Sequence, residues 1–222
     1  MTVADNLTQM METIEDACRS CGRDKDEITI VAVTKYVTVE RTKEALEAGI
    51  KDLGENRKEG FLEKYERIGN GANWHFIGSL QSRKVKDVID KVDMIHSLDR
   101  KSLAKEINKR AERPVPCFIQ VNASGEESKH GLSPEEVEAF VDTLKAFEHV
   151  KVVGLMTMAP HVDQEEELRA VFRKLRALRD RIRDKQLPHA PCEYLSMGMS
   201  NDYGIAIEEG ATHIRVGSSL VG

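Results

Sequence analysis

The sequence predicts an α/β chain folded as one (β/α)8 barrel of the TIM type, with an additional helix at its N-terminus. Three observations carry this reading. Strand-like and helix-like periodicities alternate from end to end, giving eight strand segments separated by helices. No Pro-, Gly- or Ser-rich linker interrupts them, and 222 residues is a length that a single barrel can use entirely. The span 1–222 is therefore read as a single domain. An open doubly wound sheet is the alternative, but it would place a glycine fingerprint after the first strand, and Thr34-Lys35-Tyr36 has none.

The elements follow in order. Leu7, Met10, Met11, Ile14, Ala17 and Cys18 recur at helical spacing and predict the opening amphipathic helix. Ile28 to Lys35 is an apolar run that reads as a buried first strand ending on a lysine. A helix follows from a Thr38 cap to Gly49, then a short strand, Asp52-Leu53-Gly54-Glu55-Asn56. Trp74 to Gly78, Met94 to Ser97 and Cys117 to Asn122 are strands three to five. Ser133-Pro134-Glu135-Glu136 is a capping box with proline at the first helical position, and it opens a helix with Val137, Phe140, Val141, Leu144 and Phe147 inward. Val152 to Met156 is strand six. The long helix behind it turns Leu168, Val171, Phe172, Leu175, Leu178 and Ile182 to the core and Arg169, Arg173, Arg176 and Arg183 to a solvated outer face. Tyr194 to Met197 is strand seven, Ile205 to Glu209 a short helix stopped by Gly210, and His213 to Val216 strand eight.

Composition narrows the function classes. Hydrophobic residues at 40% and charged residues at 32% describe a soluble globular protein with no stretch long enough to span a membrane. Met1-Thr2-Val3-Ala4-Asp5 lacks the basic region and apolar core of a secretion signal, so a cytoplasmic protein is expected. A net charge of -5 gives nucleic acid no general electrostatic reason to bind. Cys18, Cys21, Cys117 and Cys192 are too scattered for a disulfide framework, and Cys18-Arg-Ser-Cys21 has no second pair to complete a zinc site. The seven histidines do not fall at ligand spacing, and no metal is expected.

In such a barrel, binding groups gather at the carboxyl ends of the strands, where Lys35, Asn56, Ser196 and Arg215 all fall. A lysine desolvated at the end of a buried strand is a candidate amine for condensing with an aldehyde. Gly217-Ser218-Ser219 after strand eight offers the small residues, backbone N–H groups and hydroxyls that a phosphate requires, and Met199-Ser200 adds a hydroxyl from the neighbouring loop. Helix capping would explain Ser200 without any ligand. An ion pair with Glu55 would do the same for Arg215. Together, an amine at one edge, a phosphate cradle at the other and an arginine between them suit pyridoxal 5'-phosphate, with Arg215 meeting the pyridine nitrogen and discouraging its protonation.

Five segments then carry a resemblance over nearly the full length. They are Ala32-Val33-Thr34-Lys35, Gly54-Glu55-Asn56-Arg57, Trp74-His75-Phe76-Ile77-Gly78, Leu195-Ser196-Met197-Gly198-Met199-Ser200, and Ile207-Glu208-Glu209-Gly210 running into Arg215-Val216-Gly217. With them the chain resembles the pyridoxal phosphate homeostasis (YggS/PROSC) family, whose fold-type III barrel is shared with alanine racemase. The resemblance implies an internal aldimine at Lys35 and cofactor contacts at Asn56, Ser200, Arg215, Gly217 and Ser218. It further implies a non-catalytic carrier that buffers the cofactor and delivers it to pyridoxal-phosphate-dependent apoenzymes; a monomer or weak homodimer is expected. Ser79, Arg83 and Ser218-Ser219 depart from the family's usual His, Asn and Thr-Ala.

The alternatives are a pyridoxal-phosphate-dependent amino-acid racemase and a cofactor-free Schiff-base aldolase. A racemase of this fold needs a second acid/base opposite Lys35, which in the resembled enzymes comes from an added β-domain. The sequence, running to Gly222 just after strand eight, is expected to leave no room for one.

Overall fold

A computed structural model of the chain describes residues 1–127, 129–160, 162 and 164–222. Eight parallel strands close into a barrel in sequence order: β1 (Thr29–Val33), β2 (Asp52–Glu55), β3 (Asn73–Phe76), β4 (Met94–Leu98), β5 (Val115–Gln120), β6 (Val150–Met156), β7 (Tyr194–Ser196) and β8 (His213–Val216). The ring closes where β1 pairs with β8, Val31 standing opposite Arg215. Helices α1 (Val3–Cys21), α2 (Val39–Glu47), α3 (Lys58–Ile68), α4 (Val85–Val88), α5 (Lys101–Arg110), α6 (Pro134–Leu144), α7 (Glu165–Arg183), α8 (Tyr203–Glu208) and α9 (Ser218–Val221) cover it. Of these, α1 is the helix in excess of the barrel repeat. Its Val3, Met10, Ile14, Ala17 and Cys18 are buried, and it packs mainly against α8 and α9.

The local rules hold where the sequence announces them. Thr38 caps α2 through Arg41 N–H, and Ser133 and Glu136 close the capping box of α6 with Pro134 at its first position. Burial raises the Cys117 and Cys192 thiols each to about 12, so these cysteines are packing groups rather than reactive ones.

One expected surface is different. The arginine face of α7 is only partly solvated: Arg173 and Arg183 stay exposed, but Arg169 pairs with Glu165, Glu208 and Glu209, and Arg173 pairs with Glu166 and Glu209. Burial pushes the Glu209 carboxyl up, yet the hydrogen bonds from Arg169 and Arg173 hold it below the usual range. The basic stripe thus docks α7 on α8, and with it the chain that enters β8. A helical wheel reads charge along one helix and cannot see that a second helix brings the counter-charge.

Candidate functional site

The barrel opens at the carboxyl ends of its strands into a cavity of about 740 Å³, a volume typical of small-molecule sites. Lys35, Asn56, Ser200, Arg215, Gly217 and Ser218 all line it. Six residues from four separate parts of the sequence therefore meet at one end of one lumen.

Lys35 reaches the cavity differently from the sequence expectation. β1 ends at Val33, and the chain turns at Lys35 and Tyr36, so the lysine is exposed rather than desolvated at a strand end. Its amine stands 5.0 Å from the centre of the Tyr36 ring. The turn has a cause underneath it. Thr34 is buried and donates its hydroxyl to Glu55 Oε1 at 2.6 Å, while Lys64 Nζ donates to both Glu55 Oε1 (2.7 Å) and the Thr34 carbonyl (2.8 Å). Val37 N–H closes the turn on that same carbonyl at 3.2 Å. Glu55 is therefore the partner of Lys64, not of Arg215.

Asn56 follows β2 on a tight path. A Cβ at Gly78 would lie 2.3 Å from the Asn56 carbonyl oxygen, so the loop after β3 passes Asn56 only because residue 78 is glycine. Ser79 lines the same rim, whereas Arg83 turns its Nε to Gln81 Oε1.

The loop after β7 resolves the alternative left open for Ser200. The N-cap position of α8 is held by Asp202, whose carboxylate accepts from Met199 N–H, so capping does not account for the Ser200 hydroxyl. Gly198 permits this loop with φ of 95°, where a Cβ would come within 2.7 Å of the Ala206 Cβ. Beyond β8, the amides of Ser218 and Ser219 open α9 and, as first-turn N–H groups, have no partner within the helix.

Arg215 forms part of the floor. It is buried; its Nη1 donates to Ser196 Oγ at 2.6 Å and its Nη2 to the Thr157 carbonyl at 2.9 Å. Burial lowers its pKa to about 10, against a smaller opposing effect of the Asp202 charge, so at neutral pH it remains a fixed cation.

Beneath Arg215 the structure assembles what the sequence did not announce. His75, His96 and His213 come together in the lumen, with ring centres 5.1 to 6.3 Å apart and Phe118 stacked on His96 at 4.4 Å. Burial pushes His213 down to about 3 and drives His96 well below its ordinary value. The signal was present in the sequence as a phase rather than a spacing. Each histidine interrupts an apolar strand at an inward position, in Trp74-His75-Phe76, Ile95-His96 and His213-Ile214. Among the histidines, His161 lies outside the described residues.

Comparison with known proteins agrees with this architecture. Residues 6–222 match the family described as alanine racemase, N-terminal domain, which fixes the class as a barrel of that type. The chain is 43% identical over 229 residues to the pyridoxal phosphate homeostasis protein of Aquifex aeolicus, covering 100% of this chain and 98% of the relative. Among solved structures, it is similar to a protein of unknown function from Bifidobacterium adolescentis, with a TM-score of 0.91, 32% identity and coverage of 98% and 94% of the two chains. It is also similar to PipY of Synechococcus elongatus with pyridoxal phosphate bound, with a TM-score of 0.85, 29% identity and coverage of 99% and 100%. The chain belongs to the pyridoxal phosphate homeostasis protein family.

Proposed function

We propose that this chain, acting as one binding unit over 1–222, holds pyridoxal 5'-phosphate in the cavity at the carboxyl end of the barrel. It buffers the cofactor in the cytoplasm and delivers it to dependent apoenzymes, as a monomer or weak homodimer and without robust catalysis. The observation that carries the reading is the convergence of Lys35, Asn56, Ser200, Arg215, Gly217 and Ser218 on that one cavity. The names of the relatives and the ligand bound in PipY point the same way.

The donor set suits a phosphorylated aromatic aldehyde. Hydroxyls of Ser200 and Ser218 and the opening amides of α9 are donors for a dianion. Lys35 supplies the primary amine, and Asn56 a neutral polar contact on the β2 side. Arg215 has donors and no acceptor, so it leaves a facing ring nitrogen without its own proton. When bound, the cofactor supplies an electrophilic carbonyl and a conjugated ring; with the nitrogen unprotonated that ring is a weak electron sink. A binding role follows more readily than a carbanion-forming one.

Two experiments test this. Ser200→Ala combined with Ser218→Ala is expected to weaken retention roughly a hundredfold or more, from two charge-assisted bonds of about 1.5 to 3 kcal/mol each, and more than Arg215→Ala does. Dialysis followed by absorbance reads it, and retention equal to that of the parent removes the cradle. Incubation with L-alanine in deuterated water is expected to give negligible racemisation. Exchange of the α-proton with racemisation near the enzyme median of about 10 per second would replace the carrier by the racemase reading.

A further inference from the structure

A line of hydrogen bonds crosses the lumen from the amino end of the barrel to the cavity floor. Asp52, the first residue of β2, accepts at Oδ1 from Asn73 Nδ2 (3.1 Å) and lies 3.0 Å from His75 Nε2. His75 Nδ1 lies 2.8 Å from His96 Nε2, and His96 Nδ1 lies 2.8 Å from Ser196 Oγ, which receives Arg215 Nη1 at 2.6 Å. The two ends fix the direction of the line. An arginine can only donate, and an ionised carboxylate can only accept. At the carboxylate end, neutral His75 donates from Nε2 to Asp52 and so accepts at Nδ1 from His96 Nε2; neutral His96 then accepts at Nδ1 from the Ser196 hydroxyl, whose oxygen also receives Arg215 Nη1. Every group in the line uses one proton in the same sense, and none is left unmatched.

We propose that Asp52, His75, His96 and Ser196 form one directional hydrogen-bond chain whose upper end holds Arg215 in place, which makes His96 a positioning residue for the cation on the cavity floor. The part that concerns the ligand rests on the binding reading above; the proton order does not. Arg215 is held at hydrogen-bond distance by the Ser196 hydroxyl and the Thr157 carbonyl, with the Asp202 charge also acting on it. A serine hydroxyl alone is a free rotor. His96 removes that freedom by taking the serine proton, and is itself held flat by Phe118 and locked in tautomer by His75. His213, a further titratable group in the lumen, is engaged with Thr212 Oγ1 at 2.9 Å and lies outside the line.

The proton order is read on the protein alone, by NMR of isotope-labelled histidine ring nitrogens at neutral pH. His75 and His96 are both expected to carry their single proton on Nε2; a proton on His96 Nδ1 overturns the chain. The positioning role is read by retention of pyridoxal phosphate on dialysis. His96→Leu is expected to lose about tenfold, as removal of a supporting partner commonly does, and His96→Asn to restore it, because the asparagine oxygen stands near the place of Nδ1. Should His96→Leu fail to fold, Ser196→Ala cuts the same link at one atom, with mixed His96 tautomers and a similar loss expected. Retention equal to the parent in the folded variants overturns the positioning role. A parent that retains no cofactor sinks the binding reading and the positioning role with it, while the nitrogen spectrum still decides the chain.

Discussion

Between pH 6.5 and pH 5 the protein is expected to lose roughly 2 kcal/mol of stability through His213 alone, at about 1.4 kcal/mol per pH unit. His213 is buried and titrates at about 3 in the folded state, against an ordinary value near 6.5. In that window the unfolded chain binds a proton that the native state refuses, so stability rises with pH and falls on acidification. The full loss, on the order of 5 kcal/mol by pH 3, is comparable to the whole stability of many domains. His96 is shifted in the same direction and adds to it. Urea unfolding at pH 7 and pH 5 measures the effect. His213→Phe keeps the ring packing against Phe118 and Tyr194 and is expected to flatten the slope by about 1.4 kcal/mol per unit. An unchanged slope in the variant would mean that His213 accepts its proton in place.

Lys64→Met is expected to cost about 3 to 5 kcal/mol, because it strands the Glu55 carboxylate, 1% exposed, without its counter-charge. The same change takes the Lys64 donor from the Thr34 carbonyl, so the turn that carries Lys35 loosens. Adding Glu55→Leu is expected to recover most of the stability, since a buried pair replaced on both sides is often close to neutral. Cofactor retention in that double variant should stay low. Recovery of both stability and retention would separate the buried pair from the placement of Lys35.

The fold was legible because barrel strands alternate with amphipathic helices, and the caps at Thr38 and Ser133 sit where their chemistry requires. The cavity residues were legible because they follow strand ends, a position that topology alone assigns. Much of what escaped was set by partners distant in sequence. Lys35 looked like the end of a strand because Thr34 continues the apolar run; Glu55 and Lys64 turn the chain there, and neither is near it in sequence. Ser200 could have been a helix cap until Asp202 proved to occupy that position. β5 begins at Val115, two residues before the expected Cys117, because the proline at 116, near the beginning of the strand, removes only a single ladder donor. The lumen histidines were hidden because each belongs to a different strand, and only barrel closure makes them neighbours.

Borohydride reduction of the protein loaded with pyridoxal phosphate, followed by peptide mapping, measures the covalent anchor directly. The label is expected on the peptide that contains Lys35, and Lys35→Ala is expected to abolish it while some phosphate-anchored binding survives. A label at Lys129, whose amine donates to the Met158 carbonyl at the cavity rim, or no label on any lysine, would contradict the anchoring of the cofactor at Lys35.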